Sequence, residues 1–209
     1  MNTNKQVARL LLQSNAIKLE PTNPFTWASG WRSPIYCDNR KTLSFPEVRK
    51  FIKDEFVKLI NREFGTPDVI AGVATGAIAQ AALVADAMDL PMVYIRPSAT
   101  LHGLENLIEG VLKPGQKAVV VEDLISTGGS SLKAVRALRE AGADVLGMVA
   151  IFSYGFPQAE NNFKTHNCLL HTLSNYESLL QVALEEGNIK EEQLNVLKEW
   201  RSNPENWGK

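Results

Sequence analysis

The chain has 209 residues, with 22 basic and 23 acidic side chains and a net charge of −1, so no global positive field recommends nucleic acid as a partner. Hydrophobic residues make up 44% and charged residues 22%, an ordinary balance for one soluble globular domain with a substantial core. Cys37 and Cys168 are the only cysteines and form no CxxC pair, which disfavours a disulfide scaffold or zinc site, and no secretory or membrane-spanning apolar run is present, so a cytoplasmic location without membrane contact is expected.

Residues 3–15 have helical spacing, with Val7, Ala8, Leu10 and Leu11 sharing a face. Residues 16–40 change character. Pro21, Pro24, Trp27, Gly30, Trp31 and Pro34 predict short strands and turns, a small irregular subdomain. Residues 46–64 return to helix: Pro46 suits a first turn, and Val48, Phe51, Ile52, Phe56, Leu59 and Ile60 form a stripe. Strands and helices then alternate. Asp68–Val73 reads as a strand, Gly76–Met88 as an alanine-rich helix and Met92–Ile95 as a strand. Residues 97–110 lack periodicity and contain Gly103 and Gly110, so a mobile loop is expected. Lys117–Val121 reads as a strand. Ser130–Ala141 reads as a helix with Val135 and Leu138 inward and Gly142 as its stop. Val145–Phe152 and residues 168–173 read as strands, and a polar helix is expected near 189–201.

This alternation predicts an α/β fold: a parallel sheet, spanning residues 65–175, with helices on both faces. Ligands gather at the carboxyl ends of such strands. Loops 72–77, 122–131 and 153–157 are expected to meet there. The first, Gly72-Val73-Ala74-Thr75-Gly76-Ala77, leads from strand to helix and could offer backbone donors to a phosphate group.

The most informative stretch is Val119-Val-Val-Glu-Asp-Leu-Ile-Ser-Thr-Gly-Gly-Ser-Ser131. An apolar strand ends in Glu122 and Asp123, a turn rich in hydroxyls and glycines follows, and a helix begins. Gly128 and Gly129 allow left-handed angles and close approach by a ligand. Successive amides in such a turn form an anion-binding concavity, to which the helix adds its unpaired N-terminal donors. Ser126, Thr127, Ser130 and Ser131 supply neutral hydroxyls. The two carboxylates would repel a phosphate at contact distance, so they suit neutral sugar hydroxyls one step away. No Gly-Lys-Ser/Thr follows the glycines and no G-x-G-x-x-G is present, which excludes a Walker loop or a dinucleotide fingerprint.

The segment resembles the phosphoribosyl pyrophosphate motif of type I phosphoribosyltransferases. Phe25-Thr-Trp-Ala-Ser-Gly-Trp-Arg-Ser-Pro-Ile-Tyr36 resembles the pattern Phe-x-Leu-Lys-Ser-Gly-x-x-Ser-Pro-x-Tyr/Phe of the orotate phosphoribosyltransferases. With Tyr94-Ile95-Arg96 and His102-Gly103, the likeness covers nearly the full chain. It implies the type I phosphoribosyltransferase fold in one domain, with a small N-terminal hood over residues 1–40. It also implies transfer of a phosphoribosyl group from phosphoribosyl pyrophosphate to orotate, giving orotidine 5′-monophosphate in pyrimidine synthesis. Glu122 and Asp123 would accept hydrogen bonds from the ribose hydroxyls. Leu124, Ile125, Ser126, Thr127, Gly128, Gly129 and Ser130 would wrap the 5′-phosphate, and Ser126 also lies where the family contacts orotate. Arg96, Thr100 and His102 match loop positions that reach the pyrophosphate, in the family from the partner subunit, so a homodimer with shared active sites is implied. His102 joins Glu122 and Asp123 as a catalytic candidate. Mg²⁺ would arrive on the donor's phosphates, with no protein-only metal site.

The resemblance has gaps. Thr100 stands where the family has its loop lysine, Pro97 where many members have a second, and Ala28 where many place a lysine near orotate. Tyr154 or a neighbour occupies the region of an arginine that often meets the orotate carboxylate. Arg32, Arg40 and Lys41 are the nearest substitutes in sequence. Two alternatives therefore stay open: a phosphoribosyltransferase for another base, and a non-catalytic regulator that binds phosphoribosyl pyrophosphate.

Overall fold

A computed structural model describes residues 2–27, 30–98 and 107–208. The first helix, α1 (Thr3–Gln13), is capped by Asn2, whose side chain accepts from Asn4 N, and buries Val7, Ala8 and Leu11 while Leu10 stays half-exposed. The irregular segment that follows forms two small antiparallel pairs: β1 (Ile17–Leu19) with β4 (Ile35–Cys37), and β2 (Phe25–Thr26) with β3 (Arg32–Ser33). A 3₁₀ helix, Asn39–Ser44, leads into α2 (Pro46–Phe64), which starts on its proline as expected and turns Val48, Ile52, Phe56, Leu59 and Ile60 inward.

The remaining strands are β5 (Val69–Val73), β6 (Met92–Ile95), β7 (Ile108–Glu109), β8 (Lys117–Ile125), β9 (Asp144–Ser153) and β10 (Leu170–Asn175). They form one six-stranded sheet in the order β10-β9-β8-β5-β6-β7. All pairings are parallel except that of β7 with β6. All five residues of β5 are buried, the signature of a strand covered on both faces. One face carries α1, α2, α3 (Ile78–Met88), α6 (Tyr176–Glu185) and α7 (Leu194–Ser202). The other carries α4 (Gly129–Glu140) and α5 (Pro157–Thr165).

Several expectations need correction. Strand β8 does not stop at Val121 but continues to Ile125, because Glu122, Leu124 and Ile125 pair in register with Ala150, Phe152 and Ser153 of β9. Residues 108–109, expected as loop, form the antiparallel edge strand; residues 99–106 of that loop lie outside the described ones. The final helix starts at Leu194, after a short 3₁₀ turn at Glu191–Gln193, rather than near 189. Helices α5 and α6 lie outside the expected elements. In α5 only Ala159 and Phe163 are buried, too sparse a pattern to read. In α6 the signal was present: Asn175 caps the helix by accepting from Ser178 N, and Tyr176, Leu179, Leu180 and Ala183 share a face.

Candidate active site

The carboxyl ends of β5 and β8 open into a cavity of about 510 Å³. Its walls are Cys37, Asp38 and Arg40 from the N-terminal segment, Val73, Ala74, Thr75 and Gly76 after β5, and Glu122, Asp123, Leu124, Ser126, Thr127, Gly128, Ser130 and Ser131 from β8 to α4. Loops 72–77 and 122–131 therefore meet. Loop 153–157 touches the second of them, Tyr154 N donating to Ile125 O at 3.1 Å, but gives no residue to the cavity wall. Tyr154 is only 2% exposed and packs against Trp27, Phe156 and Trp200, with ring centroids 5.4–5.6 Å apart. A groove of similar size, about 530 Å³, runs between α6 and α7; Leu180, Leu184 and Leu194 line it together with Glu177, Gln181, Lys198 and Arg201, and it lies away from the strand ends where ligands of this fold class gather.

The end of the cavity at the start of α4 is built from backbone. Gly128 adopts φ +80°, a left-handed angle that turns the chain into α4, and a Cβ there would meet Phe163 at 2.7 Å. Gly129 differs from expectation: its φ is not positive, and the nearest atom to a Cβ would be 4.0 Å away. No side chain caps α4, so its first amides remain available beside the hydroxyls of Ser126, Thr127 and Ser130. Asn162 of α5 braces the turn, its Nδ2 donating to Thr127 O at 2.9 Å. Ile125, placed by sequence among the phosphate-wrapping residues, is fully buried in the core beneath, and neither it nor Gly129 lines the cavity.

The two acids have unequal roles. Glu122 is 5% exposed. Its Oε2 accepts from Ser131 Oγ at 2.8 Å and its Oε1 from Asp123 N at 2.9 Å. Burial, then the adjacent Asp123, push its carboxyl pKa well up. Asp123 is more open, and Gly76 is a close-approach glycine, since a Cβ there would collide with the Asp123 carboxylate. A cis peptide joins Ala74 and Thr75 in the same turn. Asn39 ties the N-terminal wall to the strand, its Nδ2 donating to Asp123 O at 2.6 Å. Cys37 stays a neutral thiol there, its pKa raised well up by burial and by the carboxylates of Asp123 and Asp38.

An adjoining cavity of about 320 Å³ shares Val73, Ala74 and Ser130 with the first and adds Arg96, Lys133 and Arg136. Arg96 lies here rather than in the main cavity, paired with Glu109 at 2.8 Å. Lys133 and Arg136 were not among the expected site residues. Their three-residue spacing after Ser130 on α4 was the readable signal, because it sets all three along one helix face. Thr100, His102 and Ala28 lie outside the described residues. No cluster of three or more His, Cys, Asp or Glu side chains able to hold a metal occurs among the described residues. Asp123 nevertheless presents hard carboxylate oxygens to the cavity, a donor that fits magnesium carried on phosphate oxygens and water.

This geometry has close counterparts. The Phosphoribosyl transferase domain family matches residues 46–186. The orotate phosphoribosyltransferase of Bacteroides fragilis is 61% identical over 206 residues, covering 99% of this chain and 97% of that protein. That of Listeria monocytogenes is 55% identical over 209 residues and all of both chains. The crystal structure of orotate phosphoribosyltransferase from Aeropyrum pernix superposes with a TM-score of 0.76 at 25% identity, covering 88% of this chain and 99% of that one. A hydroxyl- and glycine-rich turn at a strand end beside two acids, embedded in a sequence this similar along its whole length, places the chain in the orotate phosphoribosyltransferase family of phosphoribosyl transferase domains.

Proposed function

We propose that this chain catalyses the Mg²⁺-dependent transfer of the phosphoribosyl group from phosphoribosyl pyrophosphate to orotate, releasing pyrophosphate and orotidine 5′-monophosphate for pyrimidine synthesis. One observation carries the reading: the uncapped start of α4 and its hydroxyl-lined turn sit directly beyond Glu122 and Asp123 in one cavity. A 5′-phosphate fits the turn, and the ribose hydroxyls then face the acids, Asp123 as the open acceptor and Glu122 as a partner already shared with Ser131. The diphosphate falls towards Val73 to Gly76 and the cations of Lys133 and Arg136. Positive charge develops on the ribose and negative charge on the leaving group, so the chain contributes positioning and fixed donors rather than covalent chemistry. Magnesium bound with the donor supplies charge neutralisation to the diphosphate, with Asp123 the nearby protein carboxylate.

The protein is read as a cytoplasmic homodimer in which loop residues Arg96, Thr100 and His102 serve a shared site. Among the described residues no helix is long and apolar enough to cross a membrane. The test is direct. The protein is mixed with orotate, phosphoribosyl pyrophosphate and Mg²⁺, and orotate absorbance is followed. Decay is expected. Its absence alongside normal donor binding by calorimetry would favour a regulator, and decay only with uracil or a purine would favour a transferase for another base.

A further inference from the structure

Building on that reading of the site, we infer that the Arg40 guanidinium is the anchor for the carboxylate of the acceptor base, and so sets specificity for a carboxylated pyrimidine. Every substrate of the proposed reaction is an anion, yet the described residues lining the main cavity include three carboxylates, Asp38, Glu122 and Asp123, and a single cation, Arg40. The 5′-phosphate is matched by neutral hydroxyls and amides at the α4 turn. The diphosphate has Lys133 and Arg136 across Val73 and Ala74. The acceptor carboxylate remains, and Arg40 is the cation on the wall left for it.

The local geometry suits that task. Asn39 fastens the segment to β8 through Asp123 O at 2.6 Å, which fixes the next residue beside the ribose-facing acid. Arg40 Nε donates to Asp38 Oδ1 at 2.7 Å. Among the described residues its two terminal amino groups take no hydrogen bond, so the end of the fork stays open to a planar carboxylate. The other nearby cations point elsewhere. Lys41 Nζ reaches Asn15 O at 3.4 Å and Arg32 Nη1 reaches Gly208 O at 3.4 Å, and neither lines the cavity. Tyr154, buried in its aromatic cluster, brings no charge to the site.

The test compares two nucleotides that differ only in this carboxylate. Orotidine 5′-monophosphate and uridine 5′-monophosphate are titrated calorimetrically into the intact wild-type protein and into the Arg40→Gln, Arg40→Lys and Lys41→Gln variants. The wild type should prefer the orotidine nucleotide by about 10- to 100-fold, the range for a charged pair at a partly solvated site. Arg40→Gln should lose that preference while holding uridine 5′-monophosphate as the wild type does, which also reports an intact fold. Arg40→Lys should recover part of the preference, and Lys41→Gln should keep all of it. In steady state Arg40→Gln should raise KM for orotate and leave KM for phosphoribosyl pyrophosphate within about twofold. A preference surviving in Arg40→Gln, or a rise confined to the KM of phosphoribosyl pyrophosphate, would overturn the assignment while orotate turnover by the wild type kept the functional reading intact. Absence of that turnover would overturn both.

Discussion

At the scale of single residues, the cavity is shaped by which groups are kept from ionising and which positions must lack a side chain. Glu122 binds its proton more tightly in the folded chain than an ordinary glutamate, which titrates near about 4.3 when unfolded, because burial and then Asp123 disfavour its charge. Stability is therefore lost as pH rises from that value through the raised folded pKa. Glu122→Gln keeps an acceptor for Asp123 N, and its Nε2 can donate to Ser131 Oγ in place of the bond that Ser131 donates to Glu122 Oε2, so it should match the wild type at about pH 4 and melt at a higher temperature by about pH 8. A difference independent of pH in calorimetric scans would contradict this. The two glycines should separate as cleanly. Gly128→Ala combines a left-handed angle with a contact on Phe163 and should cost about 1–3 kcal/mol, whereas Gly129→Ala should be neutral or stabilise by up to about 1 kcal/mol. Denaturant melts of the two variants measure both. Thr100→Lys, restoring the cation common in the family loop, should raise turnover by roughly tenfold or more with little change in donor affinity; unchanged turnover would mean that the residue does not act on the leaving group.

Elements place these residues, and their boundaries carry functional meaning. The pairing of β8 with β9 as far as Ile125 puts Glu122 and Asp123 inside the sheet rather than after it. Asp123 faces the cavity and Ile125 enters the core. Strand reading from apolar runs stops at the first charge, so hydrophobicity alone could not show this extension. Helix α5 holds the turn through Asn162 and Phe163, a role carried by one amide and one ring with almost no periodic signal. Helix α3 contains a cost: the Gln80 amide is 1% exposed, and neither its Oε1 nor its Nε2 has a hydrogen-bond partner among the described residues. Gln80→Met conserves length and removes the unpaired polar atoms, so it should stabilise by about 1–3 kcal/mol in a urea titration. A loss of stability would point to a partner for the amide in the assembled protein.

At the scale of the whole molecule, the sheet separates two cores, and the C-terminal helix closes one of them over the N-terminal segment. Trp200 is fully buried. It stacks edge-on to Trp27, Tyr154 and Phe156, and its Nε1 donates to Arg32 O at 3.2 Å. Trp200→Ala should cost about 3–5 kcal/mol and loosen the segment that carries Cys37 to Arg40, raising KM for orotate more than a surface change in α7 would; calorimetry and steady-state kinetics read the two effects. Much of this architecture was legible in the chain itself. Period-two and period-3.6 patterns, Pro46 at a helix start, Gly142 at a helix stop and the run from Val119 to Ser131 determined the α/β class, the hydroxyl- and glycine-rich turn and its neighbouring acids, because those signals are local. The tertiary structure alone decided that Arg40 lines the cavity while Arg32 and Lys41 do not, and that Tyr154 is sealed in an aromatic core. Those outcomes depend on contacts between segments far apart in the chain, and neither spacing nor composition encodes where a long side chain ends when several surfaces compete for it.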